Sequence, residues 1–227
     1  MRPGRVIVLP CELIEQNADR LRELVLEQAA LWQLDADLVE WVRDACSWHN
    51  TLVDRIVAAP PAGDPVAKDD PLFAVAEPFA SWIIEGDAAN QPLAAHKAIE
   101  QVERLEPYHL RKVRILNGAH TALVAKALPR GIETVRQAAE DERIRPWLES
   151  LLFEEIVPAI ADRVKDGESF ARSVLERFAN PFLEHRLADI ALHHEKKLET
   201  RLRPTFGEFH AAFGRKPKIL GEILGGA

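Results

Sequence analysis

Cysteine, methionine and tyrosine are nearly missing from this 227-residue sequence, which holds two, one and one of them. Cys11 and Cys46 make no disulfide framework and fit a reducing compartment. Neither has the glycine and histidine neighbours of a thiol nucleophile, so both are expected as small buried hydrophobes. No apolar run approaches the roughly 20 residues of a membrane span, and Val6–Leu9 before Pro10 is too short for a signal peptide or an anchor. Metal-ligand spacings such as His-Glu-x-x-His and Cys-x-x-Cys do not occur. The adjacent His193 and His194 would point about 100° apart on a helix, so no metal is expected. No Gly-x-Gly-x-x-Gly follows a strand. Basic side chains are outnumbered 29 to 36, and the formal net charge of −7 argues against nucleic-acid and membrane-surface partners. What remains is the composition of a soluble, cytoplasmic, acidic globular protein. A chain of this length buries roughly 70–75% of its unfolded surface and needs no staples to fold.

The β-branched run Val6-Ile7-Val8-Leu9 reads as a buried strand, and no second convincing strand lies nearby. It is expected to be the last strand of a sheet whose other strands lie outside this chain. After Pro10 the pattern turns helical. Leu21, Leu24, Val25 and Ala29 repeat at three- and four-residue spacing, as do Leu38, Val39 and Val42. Residues 58–71, dense in proline and aspartate, form a loop. Phe79 to Glu85 suits a short strand or a helical turn. From Pro107 onward Leu110, Val113, Leu116, Leu123, Val124 and Ala127 make one apolar stripe, and further helices are predicted around 147–163, 169–178 and 182–200. The predicted fold is mostly α, a multi-helical body.

Lys112, Asn117 and His120 carry the chemical signal. At about 100° per residue, Asn117 and His120 lie about 60° apart on one helix face, and Lys112 lies about 80° from His120. An amine, an amide and an imidazole so placed can move a proton at a hydroxyl while polarising its oxygen. A lysine base near neutral pH needs its pKa lowered from about 10.4 to about 7–8, a differential of roughly 4 kcal/mol, which burial or neighbouring cations such as Arg111 and Arg114 can supply. Gly118 costs about 1 kcal/mol inside a helix and implies that something approaches the backbone closely. The spacing alone also suits surface or capping residues on a half-exposed helix.

This stretch resembles the active-site helix of the mannitol dehydrogenase family, the polyol-specific long-chain dehydrogenases, with its Lys-x4-Asn-x2-His pattern. Further pieces are similar to the tagaturonate reductase (altronate oxidoreductase) branch: Leu9-Pro10-Cys11-Glu12-Leu13-Ile14, Asn50-Thr51-Leu52-Val53-Asp54-Arg55-Ile56, Lys112 through Leu123, and Arg177-Phe178-Ala179-Asn180-Pro181-Phe182 with His185. They occur in the family's order over roughly residues 6–206. The resemblance implies an NAD-dependent secondary-alcohol dehydrogenase with a Rossmann domain followed by a helical substrate domain. It makes Lys112 the general acid/base, with Asn117 and His120 on the substrate oxygen. The resemblance also implies that Asn50, Asp54 and Arg55, which match a further motif, line the same cleft, and that His185, Arg186 and Lys197 fall in a region that contributes polyol or carboxylate contacts.

Two departures bear on substrate. Pro10-Cys11-Glu12-Leu13 stands where the mannitol branch has Ser-Cys-Asp-Asn, and His109 replaces an acidic residue three positions before the lysine. Loss of a carboxylate suits an anionic sugar acid, so the expected reaction is reduction of a tagaturonate-like keto-uronate to an altronate-like acid. On this reading residues 1–12 are the remnant of a dinucleotide-binding domain, and 13–227 are a C-terminally shortened substrate domain. No complete Rossmann domain is expected, and NAD would be bound mainly by a domain absent from this chain. The isolated chain is then expected to be weakly active or inactive. A separate Rossmann polypeptide, self-association, or a non-catalytic remnant that keeps only ligand binding all remain open.

Overall fold

The computed structural model describes residue 4 and residues 6–86 and 95–225. Residues 1–3 and 5 of the expected N-terminal remnant lie outside them. The chain divides into two compact units, Met1–Asp54 with Ala80–His109, and Arg55–Phe79 with Leu110–Ala227.

In the first unit, strand β1 (Ile7–Val8) pairs in parallel with β2 (Ser47–Trp48), in the register Ile7 to Ser47 and Val8 to Trp48. Parallel neighbours need a crossover, supplied here by helices α1 (Asn17–Leu31) and α2 (Ala36–Asp44). Asp35 starts α2 by accepting the Asp37 amide at 2.8 Å. A second sheet is mixed. β3 (Thr51–Asp54) runs antiparallel to β6 (Ser81–Glu85), which runs parallel to β7 (Ile99–Val102). Leu52, Ile83 and Leu105 form its small core.

The expectation of one lone strand before an all-α body is therefore corrected. The partner of β1 comes forty residues later, and Phe79 to Glu85 resolves into β6. Apolar runs this short do not distinguish strand from helical turn by periodicity, and pairing across long separations leaves no local mark. The thiols also depart from expectation, because Cys11 is exposed and Cys46 only half-buried. Partial burial and then the Glu12 carboxylate push the Cys11 thiol up, away from reactivity.

The second unit begins with a hairpin of β4 (Val57–Ala58) and β5 (Val75–Ala76). Between them runs the predicted proline-rich loop, in which Asp64 accepts the amides of Val66 and Ala67 at 2.9 and 3.3 Å. The helical body follows. Helix α3 (Glu106–Arg111), through which the division of the units runs, leads into a π-helical segment, Lys112–Asn117, and then α4 (Gly118–Ala127). After α5 (Val135–Glu140) and α6 (Ile144–Ser150) comes a second π segment, Leu151–Ile156, and the short α7 (Val157–Ala159). Next are α8 (Gly167–Phe178), α9 (Leu187–Ile190) and α10 (His194–Lys197), and a third π segment, Leu198–Leu202. Helices α11 (Arg203–Phe213) and α12 (Lys218–Ile223) close the unit.

Local chemistry sets these ends. Thr134 and Gln137 form a capping box on α5, each side chain bonded to the other residue's amide. The carboxylate of Glu155, itself buried, accepts the Ile219 and Leu220 amides at 2.8 Å each and so caps α12. One apolar core, including Ile115, Leu123, Leu148, Leu152, Ile156 and Leu202, fills the space between the helices. Among the described residues, no helix is long and apolar enough to cross a membrane.

Candidate active site

The rod from α3 to α4 carries Lys112, Asn117 and His120, and its π segment changes the expected geometry. In an α-helix, residues five apart point about 140° away from each other. A π-helix bonds residue i to i+5, which brings residues five apart into line. Lys112 opens this segment and Asn117 closes it, so the Lys-x4-Asn spacing matches the π repeat. Lys112 is buried and Asn117 half-buried. The glycine between Asn117 and His120 answers to packing. A Cβ on Gly118 would stand 3.3 Å from Leu202 Cδ2 and 3.8 Å from Ile156 Cδ1, so core side chains make the close approach.

His120 is 6% exposed. Its ring lies 4.4 Å from that of Phe178, tilted by 33°, and meets His185 edge-on at 4.9 Å. Its Nε2 is buried with no hydrogen-bond partner among the described residues. Burial above all holds His120 well below the ordinary imidazole pKa, with smaller contributions from His185, Arg177, Arg201 and Lys197. It is neutral at pH 7. Burial also lowers His185, against the opposing pull of Asp189 and Glu77, and its Nδ1 is likewise buried and unpartnered among the described residues. Two neutral imidazoles thus sit together, each with one buried ring nitrogen that has no hydrogen-bond partner among the described residues.

Lys197 donates to the Ile190 carbonyl at 2.7 Å, and burial followed by Arg201 lowers its pKa. Arg201, which the sequence reading passed over, donates to Thr121 Oγ1 at 3.3 Å and to the Asn117 carbonyl at 3.4 Å. Its place four residues after Lys197, on the same helical face, was a usable signal. Arg177 and Phe178 were also passed over as site residues although both stand in a matching motif. Arg55 is exposed and donates from Nε to the Glu77 carbonyl at 3.0 Å. Arg186, the chain neighbour of His185, is exposed and paired with Glu184 at 3.1 Å.

Asn50 and Asp54 belong to the first unit. Helix α1 lacks a side-chain cap of its own, and Asn50 Oδ1 accepts its Ala18 and Asp19 amides at 3.0 and 3.3 Å. Asn50 Nδ2 donates to Asp19 Oδ2 at 2.8 Å and to Glu85 Oε2 at 3.1 Å. These bonds occupy both ends of the amide, which is the behaviour of a structural clip. Asp54 is buried on β3. A cleft of about 210 Å³ in the same unit is lined by Ile14, Glu15, Gln16, Glu85, Glu106 and His109, among others. No group of three or more His, Cys, Asp or Glu side chains able to hold a metal occurs among the described residues.

Residues 104–225 match the sequence profile of the mannitol dehydrogenase C-terminal domain, and residues 3–97 match that of the mannitol dehydrogenase Rossmann domain. The second match overturns the expectation of a mostly α chain with a residual strand and no complete Rossmann domain. It also overturns the expectation that the cofactor domain is absent from this chain. An N-terminal Rossmann domain is present, and β1, α1, α2, β2, β3 and β6 lie within the matched residues. Its strands are two to five residues long, too short to read singly. The glycine-rich loop sought in the sequence is one local device of such a domain and not its whole signature.

The chain is 38% identical over 224 residues to altronate oxidoreductase of Halalkalibacterium halodurans, covering 95% of this chain and 44% of that protein. It is 39% identical over 226 residues to altronate oxidoreductase of Bacillus subtilis, covering 94% and 46%. It thus spans a little under half the length of these relatives. Among solved structures, the ternary complex of Pseudomonas fluorescens mannitol 2-dehydrogenase with NAD and D-mannitol superposes with a TM-score of 0.74 at 23% identity, covering 97% of this chain and 46% of that one. A substrate-free D-sorbitol dehydrogenase gives 0.74 at 26% identity, covering 88% and 42%.

Proposed function

This chain belongs to the mannitol dehydrogenase family, and we propose that it serves an NAD-dependent oxidoreductase that interconverts a tagaturonate-like keto-uronate and an altronate-like sugar acid. The observation that carries this reading is the buried, neutral His120, whose Nε2 has no partner among the described residues, three positions beyond Asn117 on the helix that the π segment from Lys112 to Asn117 leads into. The names of the 38–39% identical relatives support the sugar-acid substrate.

In the oxidising direction Lys112 takes the proton of the reacting hydroxyl, and in the reducing direction it returns one to the oxygen. Asn117 donates from its side-chain amide to that oxygen. His120, kept neutral by burial, holds the same oxygen through Nε2 without placing a full charge beside it. The cationic side chains of Lys197, Arg201 and Arg55 favour an anionic substrate over a neutral polyol.

The residues of the first unit fit one end of NAD. Glu15, Glu85 and Glu106 line the cleft together with the uncharged Gln16 and Ile14. Carboxylates suit the cationic ring of oxidised nicotinamide and repel a pyrophosphate. When bound, NAD supplies the hydride acceptor.

The test mixes the purified chain with NAD and altronate and follows nicotinamide absorbance, with sugar-acid binding measured separately. Lys112→Ala is expected to lower turnover by about 10²–10⁴-fold while leaving altronate binding largely intact. Unchanged turnover in Lys112→Ala removes that lysine from the mechanism. Altronate binding without nicotinamide reduction favours a ligand-binding remnant, and failure to bind any sugar acid overturns the substrate reading.

A further inference from the structure

One ion pair of the second unit is buried on both sides. Arg177 and Glu77, with side chains 6% and 1% exposed, meet through two hydrogen bonds, Nε to Oε2 at 3.0 Å and Nη2 to Oε1 at 2.8 Å. The guanidinium also lies over the Phe79 ring, 4.1 Å from its centroid. Taking two charges out of water costs several kcal/mol per ion, and such pairs are often no more stabilising than apolar residues of the same volume. Stability alone is therefore a poor account of it. A two-pronged fork does supply something an apolar contact lacks, since it fixes orientation as well as distance.

What the fork orients lies on either side of it. Beyond Arg177 the next residue is Phe178, the ring against which His120 rests at 4.4 Å. Their Cα atoms are linked by one rigid peptide, about 3.8 Å apart, so pinning Arg177 limits where Phe178 can sit. Glu77 reaches the other way. Its Oε1 accepts the Ile56 amide at 2.6 Å, its own amide donates to the Ile56 carbonyl at 3.0 Å, and its carbonyl accepts Arg55 Nε at 3.0 Å. One carboxylate is thus tied both to the Arg55–Ile56 link that precedes β4 and, through Arg177, to the ring on which His120 rests.

We infer that Glu77 is a positioning residue for the proposed reaction, acting through Arg177 and Phe178 to hold the His120 imidazole, and through its backbone to hold Arg55. The inference rests on the reading of His120 as the partner of the substrate oxygen. It assigns Glu77 no contact with substrate.

The test uses the full 227-residue chain. Ring resonances of His120, identified with a His120→Gln variant, are recorded by NMR without ligand. Altronate binding is measured by calorimetry on the same samples. With the Phe178 ring 4.4 Å away, the His120 ring protons are expected upfield of their ordinary position in the native protein. Glu77→Gln, which keeps the shape but loses the charge, is expected to remove about half or more of that shift and to weaken altronate binding at least tenfold. The resonances of His193 and His210, both exposed, stay in place. Arg177→Lys keeps the charge and loses the fork, and it is expected to do the same, which preserves the test should Glu77→Gln fail to fold. His120 resonances that stay in place in a folded variant, with only the melting temperature lowered, overturn the inference and leave the pair as a stability element. A native chain that binds no altronate overturns the functional reading instead, because the ring shift is measured in its absence.

Discussion

The imidazoles of His120 and His185 meet edge to face with their ring centroids 4.9 Å apart, and burial is the first cause of the lowered pKa of each. Below about pH 6.5 the histidines of the unfolded chain take up protons that these two refuse in the folded state. The unfolded state then binds more protons, so stability is fully present above about pH 6.5 and declines as pH falls below it. Each group contributes at most about 1.4 kcal/mol per pH unit. Urea midpoints measured from about pH 7.5 to about pH 5 are expected to fall, and His120→Gln is expected to make the slope shallower. Parallel slopes for the two proteins contradict a buried neutral His120.

Asn50 makes a separate prediction, because its side chain clips α1 to Glu85. Asn50→Ala strands two helix-end amides and two carboxylate bonds, at a cost of about 1–3 kcal/mol, and Asn50→Ser, which keeps an acceptor, costs less. Chemical denaturation reads this directly. A residue that served only to touch substrate would leave the midpoint where it was.

Gly118 should resist replacement despite its position in a helix. Alanine is favoured over glycine there by about 1 kcal/mol, but its methyl group would meet Leu202, which is fully buried and has nowhere to retreat. Gly118→Ala is expected to be neutral to about 2 kcal/mol destabilising. In the Leu202→Ala background the same change becomes stabilising, and a double-mutant cycle reports the coupling. Additive effects would mean the two side chains do not compete for the same space.

Glu155 is a buried carboxylate whose two oxygens each take one amide of α12. Glu155→Ala leaves both amides without that partner and is expected to cost about 2–3 kcal/mol, measured by the urea midpoint. Glu155→Gln retains one acceptor and should recover part of the loss. Amide exchange at Ile219 and Leu220 should rise before exchange elsewhere in the unit.

Apolar residues such as Leu116, Leu123 and Val124 recur over several turns and made the helices of the second unit legible, although α4 is buried on every side, Ala119, Thr121 and Ala122 included. The sequence announced the first unit poorly. Ile7–Val8 and Ser47–Trp48 are two-residue strands that find each other across forty residues, and neither carries a pattern long enough to read alone. Within the site, Lys112, Asn117 and His120 were legible as a motif, but a uniform α-helix misplaced Lys112 relative to the other two, since nothing local in Lys112–Asn117 declares a π repeat. Arg177 and Arg201 were hidden for another reason. Their closeness to His120 comes from the packing of separate helices, which spacing along one helix does not encode.

The wide turn between Lys112 and Asn117 makes chain length, and not only side-chain identity, part of the constellation. It is in effect a helix carrying one surplus residue, and excising that residue would let the ordinary hydrogen-bond ladder re-form. Such a deletion, for example of Val113, would set Lys112 and Asn117 four positions apart, about 40° on an ordinary helix, and so would keep the two on one face. Closing the wide turn with its residue retained is the damaging change, since a uniform α-helix of the present length would carry Asn117 about 140° away from Lys112.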